Sequence, residues 1–592
     1  MSGGSDRKNA GEVLPRRDGG AACVRADGDE PWWKAAVVYQ IWPRSLADGD
    51  GDGIGDLAGI ISRLDYLAAL GVDVLWLSPI YPSPQDDAGY DISDYQGIDS
   101  TFGSLDQFDS LLAAVHRRGM KLVMDLVVNH TSDEHPWFVE SRSSADNARR
   151  DWYWWRPGRA GMESGDPGAE PTNWRSAFSG PAWELDPRTG EYYLHLFSRK
   201  QPDLNWENPE VRQAVYSMMR WWLERGVDGF RMDVVNMLSK DTALPDGHVQ
   251  HGRLGDGTPH FLNGPRIHEF LQEMHREVFV PRGGQLLNVG EMPGVTVDDA
   301  RLFTDPARGE LDMVFQFEHV QLDRGASKWD VDPLDLRDLK ASLNRWQVGL
   351  ADVGWNSLYW NNHDQPRVVS RFGDDGVHRV RAAKLLGTIL HLHRGTPYIY
   401  QGEELGMTNA SFASIEDFRD IESLNHYAAA VARGDPPEHV LGSLRAASRD
   451  NARTPMQWDG SGHAGFTTGT PWMAVNANHA EINAQAEVSD GDSVFHHYRQ
   501  LIELRHTEPV VVHGDFRMLL TDHRWVYAFV RRHRGTELLV LANFSGAPVE
   551  IEIPDADRWQ DTELMLANVP QPEALRARLT LQHWEARIHR RR

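Results

Sequence analysis

Val227-Asp-Gly-Phe-Arg-Met-Asp233 decides the fold. Its apolar residues make a short run, an arginine interrupts it, and a carboxylate stands at its end. The pattern returns in Leu286-Leu-Asn-Val-Gly-Glu291 and in Trp355-Asn-Ser-Leu-Tyr-Trp-Asn-Asn-His-Asp364. Short apolar runs bounded by turn residues read as strands buried on both faces. Carboxylates gathered just past the ends of parallel strands are how a barrel builds an acid/base site, so Asp233, Glu291 and Asp364 point to an enzyme. Arg231, two residues before Asp233, shares its face of the strand and is expected to help keep that carboxylate ionised.

Working outward, strand-like runs at Ala36 to Ile41, Val74 to Leu77, Lys121 to Val128, Val227 to Met232, Leu287 to Val289, Leu311 to Phe317, Ser357 to Trp360 and Thr396 to Tyr400 make eight. Amphipathic helices fall between them. Leu57 to Leu70 stops at Gly71, Leu105 to Arg118 follows Ser104 and stops at Gly119, and Asn208-Pro209 opens a helix that Gly226 closes. Strands alternating with helices in this number predict a (β/α)8 TIM barrel of the α/β class.

Two segments exceed a bare barrel. After the third strand come roughly 70 residues where a connection ordinarily needs about 2 to 6. They are rich in aromatics, among them Trp152, Trp154, Trp155, Trp174, Phe178 and Trp183, and are expected to fold as a small subdomain over the barrel mouth, with Phe178 facing the substrate. Beyond Pro509 the period becomes two: Trp525-Val-Tyr-Ala-Phe-Val530, a turn at Arg534-Gly535, then Glu537-Leu-Leu-Val-Leu-Ala-Asn-Phe544, a hairpin of an antiparallel β domain. The expected division is a disordered leader over 1–30, a barrel over 31–130 and 202–509, an inserted subdomain over 131–201 and a C-terminal β-sandwich over 510–592.

Composition narrows the partners. The chain of 592 residues is 41% hydrophobic and 25% charged, which is ordinary for globular proteins. Its net charge of -25 disfavours nucleic acid and anionic membrane, both polyanions, and only the tail Arg590-Arg591-Arg592 is basic. Cys23 is the single cysteine, so neither a disulfide framework nor a thiolate metal site is expected. No apolar run has the length of a signal peptide or a membrane span, and the expected location is the cytoplasm, as a monomer or weak homo-oligomer.

Retaining glycosidases need a nucleophile and an acid/base carboxylate about 5 to 5.5 Å apart across the scissile bond. Asp233 and Glu291, ending the fourth and fifth strands, are neighbours in a barrel and can meet that separation. In order along the chain, Asp125-Leu-Val-Val-Asn-His130, Gln201-Pro-Asp-Leu-Asn-Trp206, Gly229-Phe-Arg-Met-Asp-Val-Val-Asn236, Val289-Gly-Glu-Met-Pro-Gly294, Asn362-His-Asp-Gln-Pro-Arg367 and Gly395-Thr-Pro-Tyr-Ile-Tyr-Gln-Gly-Glu403 resemble the α-amylase superfamily, glycoside hydrolase family 13, and within it the oligo-1,6-glucosidase and α-glucosidase group.

The resemblance implies Asp233 as nucleophile, Glu291 as general acid/base and Asp364 as the carboxylate that grips sugar hydroxyls. It implies that His130 and His363 bind the same glucose and that Tyr90 stacks on its apolar face. It also implies that Asp87 and Arg453 pair to close the pocket behind one terminal glucose, making the enzyme exo-acting. Ala88 stands where the family usually has Asn. Val234, next to the nucleophile, resembles the α-1,6-cleaving members; a β-branched residue there narrows the approach of one linkage geometry. Glu291-Met-Pro-Gly294 and Asn451-Ala-Arg-Thr-Pro-Met-Gln-Trp-Asp459 resemble the same members.

Asp48-Gly-Asp-Gly-Asp-Gly-Ile-Gly-Asp56 alternates carboxylates with glycines, as a loop around a hard cation does. Gly59 at the twelfth position excludes an EF-hand. The resemblance implies a structural Ca²⁺ held by Asp48, Asp50, Asp52 and Asp56 and by the carbonyl of Ile54, with no organic cofactor. Other activities on this scaffold are a broad α-1,4-glucosidase, trehalose-6-phosphate hydrolase, which would need a basic cluster, and sucrose isomerase or glucosyltransferase, from which the hydrolase-like Gln365-Pro-Arg-Val-Val-Ser-Arg371 differs. A transporter-associated ectodomain of this fold would lack the complete triad and carry an anchor.

Overall fold

The computed structural model describes residues 30–250, 252–283 and 285–592; the leader expected over 1–30 lies outside them except for its last residue, as does Cys23. Eight parallel strands form one sheet: Val38–Ile41, Val74–Leu77, Lys121–Leu126, Gly229–Met232, Leu287–Glu291, Met313–Phe315, Ser357–Leu358 and Thr396–Tyr400. The eighth pairs with both the seventh and the first, and a parallel bridge between Val314 and Asn356 joins the sixth to the seventh, which brings the sheet round to near closure.

Strand alternation sorts the side chains. Val38, Val74, Trp76, Val123, Val289, Met313, Phe315 and Tyr398 meet inside the barrel, while Tyr39, Ile41, Leu75, Leu77, Leu122, Met124, Phe230 and Met232 pack outward on the helices. Asp125, Arg231 and Glu291 have the parity of the inward set, which aims them up the barrel axis. Gly229 has φ +150°, and a Cβ there would lie 2.0 Å from the Leu287 carbonyl oxygen; only glycine lets the fourth and fifth strands pair at this point.

The helices begin and end where their caps dictate. Asp56 accepts from the Gly59 amide to start Leu57–Leu70, and left-handed Gly71 ends it. Asn208 caps Pro209–Arg225, and left-handed Gly226 closes it. The third strand stops at Leu126, short of the expected Val128, because the next carbonyls have other donors: the Tyr95 hydroxyl bonds Val127 O and the Trp206 indole bonds Val128 O. The seventh is cut to two residues, and the Trp360 indole turns away to the Leu386 carbonyl.

The residues between the third and fourth strands carry a three-stranded antiparallel sheet, with Glu191–Leu194 between Trp155–Arg156 and Trp183–Asp186. Bridges from His130 to Asp203 and from Tyr153 to Leu204 bind it to the barrel mouth. At the C-terminus a five-stranded antiparallel sheet and the pair Val549–Glu552 with Arg578–Leu581 enclose Val526, Ala528, Val530, Leu539, Leu541, Ile551 and Leu579. The alternate residues Tyr527, Phe529, Leu538 and Val540 belong to the barrel's own core, so one sheet serves two hydrophobic layers.

Candidate active site

Arg231 organises the centre. Its Nη1 donates to Asp125 Oδ1 at 2.7 Å and to Asp233 Oδ1 at 2.8 Å, and its Nη2 lies 2.5 Å from Glu291 Oε1. The guanidinium also sits over the Trp76 ring. One buried cation therefore faces three carboxylates, an arrangement that cannot hold all three ionised at low cost. Burial raises Asp233 well above the usual carboxylate range, Arg231 opposes this, and Glu291 and Asp125 push it further up. Asp125 is likewise pushed up to about 6 by burial against the pull of Arg231. The carboxylates share one guanidinium, so their protonation is a property of the cluster rather than of any one residue alone.

Val234 follows Asp233 in the left-handed region, φ 34° and ψ 42°, which a β-branched residue rarely occupies. The strained turn points its amide at Glu291, which accepts from Val234 N at 3.2 Å. Backbone geometry thus ties the carboxylates of two strands together.

Asp364 lies opposite. Arg453 Nη2 reaches its Oδ1 at 2.8 Å and Arg449 Nη1 at 3.4 Å. Burial alone would raise Asp364, but His363, Arg449 and Arg453 outweigh it and hold the carboxyl well below its ordinary range. The pair expected between Asp87 and Arg453 is not the one made. Asp87 pairs with Arg449 at 3.1 Å, while Arg453 Nη1 goes to Asp420 at 2.6 Å, where Arg449 also lies at 2.8 Å. Burial pushes Asp87 up to about 7 in spite of the two arginines.

Arg449 is the main residue that sequence reading missed. It stands four positions before Arg453, a spacing that puts both on one side of a helical turn, and this was the available signal. Phe178 lies against its guanidinium, 5.1 Å from ring centre to charge.

The remaining sequence-derived residues join the same cluster through hydrogen bonds and ring contacts. The Tyr90 hydroxyl donates to Asp125 Oδ2 at 3.0 Å and lies 2.7 Å from His363 Nε2, with the two rings nearly parallel at 5.2 Å. His363 is also stacked on Trp42 and bonded to Gln40. His130 meets the Tyr90 carbonyl and Gln201. Burial drives both histidines down, His130 to about 4 and His363 to about 3, so both are neutral hydrogen-bonding groups near pH 7. Behind His130, Lys240 binds Asp203 at 2.9 Å and Asn129 at 3.1 Å, pinning the returning strand of the insertion.

In the Asp-rich loop, Asp48, Asp50 and Asp56 each offer an oxygen within 4.8 Å of the others, close enough to hold one cation. Burial, with Asp50 and Asp48 beside it, raises Asp56 above its ordinary range. Asp52 is not in this group; its Oδ1 instead accepts from the Ile54 amide at 2.7 Å.

The architecture is shared with known proteins. The family model of the α-amylase catalytic domain matches residues 40–514, and that of the maltogenic amylase C-terminal domain matches residues 516–588. An oligo-1,6-glucosidase of Halalkalibacterium halodurans is 56% identical over 561 residues, covering 94% of this chain and 98% of that protein. A crystal structure of trehalose-6-phosphate hydrolase from Bacillus licheniformis superposes with a TM-score of 0.90 at 47% identity, covering 95% of this chain and 100% of that one. A trehalulose synthase from Pseudomonas mesoacidophila superposes with a TM-score of 0.89 at 42% identity over the same shares. Among the described residues no helix is long and apolar enough to cross a membrane. The chain is a glycoside hydrolase and belongs to family 13, the α-amylase superfamily, in its oligo-1,6-glucosidase and α-glucosidase group.

Proposed function

We propose that this chain is a retaining, exo-acting α-glucosidase that removes glucose from the non-reducing end of short α-1,6-linked oligosaccharides such as isomaltose. The Arg231 fork that draws Asp233 and Glu291 together supports the double-displacement reading. Glu291, acting as the general acid, delivers a proton to the glycosidic oxygen as Asp233 attacks the anomeric carbon and the glycosidic bond breaks. Glu291 then takes a proton from water, which displaces Asp233 and releases glucose. Arg231 offsets the charge left behind as the proton departs, and Asp364 with the neutral His130 and His363 grips the hydroxyls of the flattening ring. The Asp87–Arg449 pair, capped by Phe178, walls off the far side of that glucose.

Val234 supports the α-1,6 preference: it follows Asp233 directly, its amide bonds Glu291, and its branched side chain packs in the apolar cluster with Trp154, Trp174, Met237 and Phe261. The likeness to an oligo-1,6-glucosidase over nearly the whole chain points the same way. In the acidic loop, Asp48, Asp50 and Asp56 are the ligands we assign to a structural Ca²⁺, an oxygen-seeking ion suited to this all-carboxylate set.

One observation favours a second reading, hydrolysis of trehalose 6-phosphate. Arg324 and Lys328 line a cavity of about 510 Å³ that includes Gln365, the neighbour of Asp364, and these are basic groups the sequence did not reveal. Against it, Lys328 is already paired with Glu422, and Arg324 donates to the carbonyls of Val320 and Lys328. Glucose release from isomaltose, maltose, sucrose and trehalose 6-phosphate, measured in parallel, decides between them. Preference for isomaltose supports the proposal; preference for the phosphorylated disaccharide transfers it to the second reading.

A further inference from the structure

A second cavity, away from the catalytic cluster, lies on the barrel's flank. About 500 Å³ in volume, it runs between the loop carrying Asp94, Tyr95 and Gln96, the short helix Pro136–Ser141 and the helix Pro209–Arg225. Two half-buried tryptophans, Trp137 and Trp221, line it, both packed against the core, with the Arg225 guanidinium 5.1 Å from the Trp221 ring centre. Trp137 is braced by Trp152 at 5.0 Å and by His135 at 4.5 Å, and Trp221 by Trp222 at 4.7 Å, so both platforms are fixed. Among the described residues neither indole N–H has a hydrogen-bond partner.

His135 adds a directed donor. Its Nδ1 accepts from the Trp137 amide at 3.1 Å, which places the proton of the neutral ring on Nε2, and burial keeps the ring neutral with a pKa of about 3. That Nε2–H has no partner among the described residues although the side chain is 5% exposed and lines the cavity. The donor therefore opens onto the cavity, where water or a ligand acceptor can take its proton.

The charges select the ligand class. Of the charged residues that line the cavity, Asp94 and Glu224 outnumber Arg220, whose nearest partners are the Ser217 hydroxyl and the Glu277 carbonyl; Glu224 also lies 3.9 Å from Arg282. An anion is disfavoured by that balance, and a purely apolar ligand leaves the indole and imidazole N–H groups without partners. A neutral polyhydroxylated chain satisfies all of them: its apolar ring faces lie on the tryptophans while its hydroxyls take the indole, imidazole and carboxylate groups. We infer that this groove is a second, non-catalytic binding site for neutral glucan oligosaccharides, distinct from the barrel mouth. The choice of sugar rests on the function proposed above; the groove and its chemistry do not.

The test is migration of the full-length Asp233→Asn protein through a gel containing dextran, against the same gel without dextran. Retardation is expected, with at least fivefold weaker apparent binding when Trp221→Ala or Ser217→Arg is added. The second change fills the groove from an exposed helix position and removes no packing. In the active background both changes leave isomaltose turnover within twofold. Equal retardation with and without these changes, or no retardation of Asp233→Asn, overturns the inference while leaving the catalytic reading intact. Failure of the wild-type chain to cleave isomaltose would instead strike the proposed function, whatever the gel shows.

Discussion

Arg449→Met tests the wall of the pocket, because it keeps the apolar stem and removes the charge. Arg449 serves Asp420 at 2.8 Å, Asp87 at 3.1 Å and Asp364 at 3.4 Å, and its side chain is 8% exposed. Removing one partner of a buried ion pair costs about 3 to 5 kcal/mol. Here the cost must depend on pH. Asp87 already has a folded pKa of about 7, raised from 3.8 by burial, and Arg449 is the strongest influence holding it down. A carboxylate raised in the folded state binds its proton more tightly there than when unfolded, so its contribution to stability falls as pH rises towards the folded pKa. In the wild type that fall is complete near pH 7. In Arg449→Met the folded pKa moves higher, and the fall continues by about 1.4 kcal/mol for each further pH unit. Urea unfolding at pH 6 and pH 9 should therefore show a penalty about 2 to 3 kcal/mol larger at the higher pH. KM for isomaltose should rise about tenfold, the size of one lost charge-assisted hydrogen bond to substrate. A penalty that is the same at both pH values, or an unchanged KM, would refute the placement of Arg449 as the partner of Asp87.

The other predictions are simpler to state. Val234→Gly removes a left-handed conformation costing about 1 to 3 kcal/mol as well as a buried branch, so its melting temperature should fall far less than that of Val289→Gly in an ordinary strand, while the ratio of isomaltose to maltose turnover drops. Buried His130, His363, His391, His393 and His497 have folded pKa values depressed to about 3 or 4 by burial. Their unfolded forms take up protons first, so stability is full above about pH 6.5 and is lost as pH falls, by about 1 kcal/mol per histidine at pH 5.5; flat stability from pH 7 to 5 would contradict their burial. Chelator should lower the melting temperature, and Asp56→Asn should abolish that sensitivity; a chelator effect that persists in Asp56→Asn would exclude the acidic loop as its source.

Strand number, helix limits and the three carboxylates were legible because each rests on local chemistry. Gly71 and Gly226 end helices since a left-handed cap needs no Cβ, and the residues that open them offer side-chain oxygens to free amides. Parity alone aims Arg231 and Asp233 to one side of a strand. What could not be read was which partner a side chain chooses among several at the same distance. Asp87 lies 362 residues before Arg449 and 366 before Arg453, and no local rule ranks the two; only the packed barrel brings Arg449 onto Asp87 and leaves Arg453 to Asp364 and Asp420. The strands stop early for a related reason, since Tyr95 and Trp206 claim carbonyls that periodicity alone assigns to the sheet.

The left-handed Val234 shows how local rules fail where a site is built. A valine there opposes every backbone preference of its type, so propensity predicts continued strand beyond Met232. The chain turns instead, and the turn supplies the amide that meets Glu291 while Arg231 holds Asp233 from the other side. Strand parity, the guanidinium fork and the strained amide all converge on two carboxylates that burial would otherwise drive apart in protonation and position. The turn that ties Glu291 to the end of the fourth strand and the valine on which the proposed linkage preference rests are thus one residue, so under that proposal a change at Val234 alters both together.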